Sequence, residues 1–158
     1  MEVIKLTVFY NHSEDYVNHM YQSIIINHPH QLDPEDIAAR NGLSLVYMRS
    51  SSMRIGDTIV INEDLSEEEQ WQQFGHELCH ALWHSGNQLH MPVPFRVYQE
   101  YKANNFAQYA CIPSFMLHNM KLPKYEEIAV LMIQKEFGVS RDFAKKRLDQ
   151  HLQNLQFG

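Results

Sequence analysis

Residues 76–80 read His76-Glu77-Leu78-Cys79-His80, two imidazoles four positions apart with a carboxylate beside the first. On a helix, residues at i and i+4 sit one turn above each other, so both rings point the same way and can share one tetrahedral metal ion. The glutamate between them lies too far round the helix to ligate easily, but it flanks the ion, where it can take a proton from water. With ten His and twelve Glu among 158 residues, composition alone gives about 0.05 chance occurrences of this pattern. Phase strengthens it. At 100° per residue Trp71, Phe74, Leu78, Ala81 and Leu82 cluster on one side, while His76 and His80 fall on a face that the core does not claim.

A hydrolytic zinc site needs a third protein ligand and an open fourth position. Glu100 is the candidate. Ala103, Asn104, Ala107 and Cys111 follow it at helical spacing, and this mostly small face lets a second helix approach the first closely enough for a short carboxylate to reach the metal. Asn104, one turn on, is placed to orient Glu100 or a ligating imidazole. His84 continues the series but lies about 12 Å along the axis from His76, too far for one ion, and is read as a helix C-terminal group. Cys79 points away from the metal and reads as a buried apolar side chain. His90 and His118 are candidates for contacting substrate or the oxyanion.

The elements that position these groups are legible from their punctuation. Ser66 followed by Glu67-Glu68-Glu69 is a helix start, and that helix should run to Trp83 or His84. A second should cover Phe95 to Cys111, ending before Pro113. Upstream, periodicity predicts a helix from about Ser13 to Asn27, and Asp33-Pro34-Glu35-Asp36 starts a short one closed by Asn41-Gly42. Leu43–Met48 and Asp57–Ile61 read as strands, the latter offering an edge for an extended peptide. Downstream, helices are expected over Tyr125–Phe137 and Arg141–Leu155, around a Gly138-Val139-Ser140 turn. The expected fold is α+β, a helical domain with a small antiparallel sheet over 1–120 and a C-terminal helical, helix-turn-helix-like segment over 121–158.

Composition bounds the function. The hydrophobic share of 44% and the charged share of 20% fit a globular chain. A net charge of −6 is a poor footprint for general nucleic-acid binding. Two cysteines suggest a reducing compartment, and no leader or membrane-spanning run is visible, so a cytoplasmic location is expected. After residue 120 seven cations face five acids. Arg141, Lys145, Lys146 and Arg147 follow the turn as a recognition helix would, but nucleic-acid binding is not the favoured reading.

Several segments together resemble the ImmA/IrrE family of zinc metallopeptidases of phages and mobile elements. They are Asp33–Ala38, the strand Gly56–Asn62, Phe74-Gly75-His76-Glu77-Leu78-Cys79-His80-Ala81-Leu82-Trp83-His84, Gln99-Glu100-Tyr101-Lys102-Ala103-Asn104-Asn105-Phe106-Ala107, and Ile112-Pro113. Lys102 stands where the family usually has a second glutamate, which supports Glu100 as the ligand, and Gln108–Cys111 is more polar than usual. The resemblance implies a zincin-like, gluzincin-type fold and a Zn²⁺ cofactor. It also implies site-specific cleavage of a helix-turn-helix repressor as the protein substrate. Peptide deformylases share the histidine pattern but need an upstream cysteine ligand, and none precedes Cys79. The alternative is a non-proteolytic repressor-binding or DNA-binding module with a zinc site.

Overall fold

A computed structural model describes residues 6–8, 11–83 and 93–157. The chain folds as β1 (Leu6–Val8), α1 (His12–Ser23), a 3-10 turn (Pro29–Gln31), α2 (Pro34–Arg40), β2 (Ser44–Met48), β3 (Met53–Ile55), β4 (Thr58–Asn62), α3 (Glu67–Trp83), α4 (Val93–Cys111), α5 (Ser114–His118), α6 (Glu126–Phe137), α7 (Arg141–Asn154) and β5 (Leu155–Phe157).

Helix starts follow local chemistry. Asn11 caps α1 in a reciprocal box with Glu14, and the Asp33 carboxylate accepts from the Asp36 N–H at 3.0 Å to begin α2. The Ser66 hydroxyl accepts from the Glu69 N–H at 3.2 Å at the head of α3. Gly138 ends α6 at φ +68°, and Ser140 caps α7 through Phe143 N–H. The first helix is shorter than its periodicity predicts. It closes on Ile25, a β-branched residue at φ +62°, through bonds from Ile25 N–H to Gln22 O and from Ile26 N–H to Tyr21 O. That is a helix-terminating turn normally given to glycine.

The sheet is mixed, not antiparallel. Its order is β2-β4-β3, with β4 parallel to β2 (Ser44 opposite Thr58) and antiparallel to β3 (Ile55 opposite Thr58). A third strand, β3, not expected from the sequence, takes the hairpin position beside β4, with Gly56 at φ +59° between them. The strand left over, β2, then lies parallel on the other side. The 57–61 segment is therefore central, and the sheet edges are β2 and β3. A separate two-stranded ribbon joins the ends of the chain, Leu6 opposite Phe157.

One apolar cluster holds these layers together. Val17 and Tyr21 of α1, Ile59 and Ile61 of β4, Phe74 and Leu78 of α3, and Phe106 of α4 share it with Ile133 of α6 and Leu148 of α7. Beside it lies a buried polar knot. Arg147, fully buried, donates from Nε to the Ile112 carbonyl (3.0 Å) and from Nη2 to Ser114 Oγ (2.6 Å), while the Ser114 hydroxyl donates to Glu14 (2.5 Å). Arg147 is thus unavailable to the basic surface expected of a recognition helix. Among the described residues, no helix is long and apolar enough to cross a membrane.

Candidate metal centre

The centre is built by two helices forced close together. A Cβ placed on Gly75 would lie 3.0 Å from Cys111 Sγ and 3.2 Å from the Ala107 Cα, so α3 and α4 touch backbone to backbone at this point. The small face of α4, with Ala103, Ala107 and Cys111 all buried, meets α3 there. The face carrying His76 and His80 is thus not a solvated one. It is the α3–α4 interface, which an isolated helical wheel cannot show. Trp71, Phe74 and Leu78 bury the opposite side, and Cys79 is fully buried as expected.

Within that interface His76, His80 and Glu100 converge. The two Nε2 atoms are 3.3 Å apart, Glu100 Oε2 lies 2.7 Å from His76 Nε2, and Glu100 Oε1 lies 3.1 Å from His80 Nε2. Four-coordinate zinc with bonds of roughly 2.0–2.1 Å puts its ligand atoms about 3.3 Å apart; the two imidazole nitrogens stand at that separation, and one carboxylate oxygen lies closer to each of them. The far side of His76 is fixed as well, because its Nδ1 sits 2.8 Å from Asn104 Oδ1. With Nδ1–H donating to that oxygen, Nε2 presents a lone pair toward a carboxylate. Acceptors facing each other at this range repel unless a cation lies between them, and the donor set therefore fits a divalent metal. Exposure rises across the site. The His80 side chain is 6% exposed, that of His76 16% and that of Glu100 40%, so solvent reaches the centre from the Glu100 side.

Glu77 is 6% exposed. Burial pushes its carboxyl up to about 7, with Glu100 adding to the rise while His76 and Arg54 oppose it. Arg54 lies on β3, a strand that the sequence reading does not include. Gly75 also escaped it, although a glycine inside a strong helical pattern is a signal of close backbone approach. His118 lies apart from this cluster, at the end of α5, its ring centroid 6.2 Å from that of His151. His84 and His90 lie outside the described residues.

Comparisons agree with the geometry. Residues 3–149 match the model of the IrrE N-terminal-like domain. The chain is 40% identical over 145 residues to the phage-like element PBSX protein XkdA of Bacillus subtilis, covering 89% of this chain and 73% of that protein. It is 34% identical over 149 residues to YqaB of the same strain, described as uncharacterized, covering 92% of this chain and 87% of that one.

Proposed function

The chain belongs to the IrrE/ImmA-like peptidase family, and on that premise we propose that it is a zinc-dependent endopeptidase of gluzincin type. Its proposed substrate is a helix-turn-helix repressor of a phage or mobile-element circuit. The observation that carries the reading is the convergence of His76, His80 and Glu100, with the tautomer of His76 held by Asn104.

Three protein ligands leave a fourth position open, the arrangement of catalytic rather than structural zinc. Zinc bound there supplies an acidified water and polarises the substrate carbonyl. The protein supplies the rest. Glu77, beside the converging ligands and 6% exposed, takes the proton of the attacking water and passes it to the leaving amine. Asn104 holds the His76 ring in register. β3 is a sheet edge on the α3 side whose Arg54 acts electrostatically on Glu77, so an extended peptide adding to β3 would lie alongside the centre.

The source name of one relative, a phage-like element, supports the mobile-element setting. A cytoplasmic location is part of the same proposal, supported by two buried cysteines that remain thiols. The test is to incubate the zinc-loaded protein with the product of the neighbouring repressor-like gene and analyse fragments by mass spectrometry. One defined cut is expected. An intact repressor that nonetheless binds the protein would favour the non-proteolytic alternative.

A further inference from the structure

A cavity of about 690 Å³ opens between the α5–α6 connection and the C-terminal half of α7. Its floor is apolar, made by Met120, Leu122, Leu148, Leu152 and Leu155. Into this wall is set His151, only 6% exposed. Neither nitrogen of that imidazole has a hydrogen-bond partner among the described residues; its recorded neighbour is the His118 ring, edge-on at 6.2 Å. Neither ring nitrogen is fully enclosed, so water or a ligand in the cavity can reach it.

The charges around the rim are unequal in availability. Glu126 and Asp149 line the cavity, but both are engaged by Lys145, at 3.4 and 3.7 Å. Lys121 and Lys124 also line it, are exposed, and make no ion pair among the described residues. The first turn of α6 begins at the same rim; its N-cap, Tyr125, makes no side-chain capping bond, so its N–H groups stay available, although Glu126 and Glu127 in that turn offset part of the positive helix end. Burial, with Arg147 and His118 adding to it, pushes His151 down to about 4, so at neutral pH the ring offers one donor and one acceptor rather than a charge.

Two unpaired ammonium groups, the N–H groups of the first turn of α6 and a neutral donor surround an apolar floor. We propose that this cavity is a binding site for a small amphiphilic carboxylate. Its chain would lie on the leucine floor, and its head group would be held by Lys121, Lys124, the α6 N-terminus and His151. The volume falls within the range of small-molecule sites, which are mostly apolar with a few convergent polar groups. The site shares no lining residue with the metal centre, and the proposal stands whether or not the protein cleaves peptides.

Octanoate is the probe, titrated into the full-length protein at neutral pH by calorimetry, with the His151 ring signals followed by NMR. Saturable one-to-one binding that shifts the ring signals is expected. Acetate, which lacks the chain, and octylamine, which reverses the head-group charge, should not saturate. The Lys121→Gln/Lys124→Gln variant changes only exposed side chains and should bind octanoate at least about tenfold more weakly through loss of two charge-assisted contacts. His151→Phe, which keeps a ring there but removes both nitrogens, should weaken octanoate binding. If octylamine binds as well as octanoate, if the lysine variant is indistinguishable from wild type, or if the His151 signals stay fixed, the proposal fails.

Discussion

Asn104 Oδ1 lies 2.8 Å from Nδ1 of His76, across the α3–α4 interface. That bond turns the other nitrogen of the ring toward Glu100 and ties the metal-binding face of one helix to its neighbour. Partners of this kind set the orientation of a ligating imidazole and the basicity of its metal-facing nitrogen. Asn104→Ala should therefore weaken metal retention roughly 10- to 100-fold while leaving the fold intact. Competition against a zinc chelator checks this, with circular dichroism as the control for folding.

The contact between Gly75 and the backbone of Ala107 sets the spacing of the same two helices. Gly75→Ala puts a methyl group 3.2 Å from a Cα that cannot rotate aside and 3.0 Å from a buried sulfur. The expected cost is about 1–3 kcal/mol of stability from overpacking. Widening the gap also draws Glu100 away from His76 and His80, so metal affinity should fall with stability. Denaturant unfolding and chelator competition on one variant test both consequences.

Ile25 carries backbone strain that nothing in the core repays, since it is 69% exposed at φ +62°. A left-handed conformation costs a non-glycine residue on the order of 1–2 kcal/mol. Ile25→Gly relieves this but adds freedom to the unfolded chain, so the net gain should be about 0.5–1 kcal/mol. A thermal melt should show a rise of about 1–4 °C in a chain of this length.

His151 makes stability depend on pH. Its folded-state value is pushed down to about 4 from 6.5, with burial first among the causes and Arg147 and His118 following. The unfolded chain therefore takes up the proton more readily. The contribution is fully present above about pH 6.5 and is lost as the pH falls from there toward 4, on the order of 3 kcal/mol in all. Denaturant unfolding at several pH values should show this slope in wild type, and His151→Phe should flatten it relative to wild type.

Much of this architecture could be read from the chain because it is written locally. Ser66, Asp33, Gly138 and Ser140 mark helix ends by chemistry that acts within four residues, and α2, α3, α6 and α7 begin or end where those residues stand. The meeting of His76, His80 and Glu100 was legible for a related reason, since helical spacing fixes which side chains share a face. The parallel pairing of β2 with β4 and the ribbon of Leu6–Val8 with Leu155–Phe157 were not. Both depend on partners distant in sequence, and three-residue strands are too short to show alternation. The covering of the histidine face by a second helix was legible too, in the small residues Ala103, Ala107 and Cys111 that follow Glu100 at helical spacing. Arg147 shows the converse error. It looked like part of a basic surface and is instead fully buried, bonded to Ile112 and Ser114.

The role of Glu77 is the claim on which the peptidase reading turns. Glu77→Gln removes the proposed proton carrier but none of the three converging ligands, His76, His80 and Glu100. The direct measurement is the rate of repressor cleavage by wild type and by Glu77→Gln, at zinc contents shown by elemental analysis to be equal at about one per chain. Loss of cleavage by at least about a hundredfold in the zinc-replete variant is the predicted result, the scale of a missing general base. Cleavage at the wild-type rate by zinc-replete Glu77→Gln would contradict it.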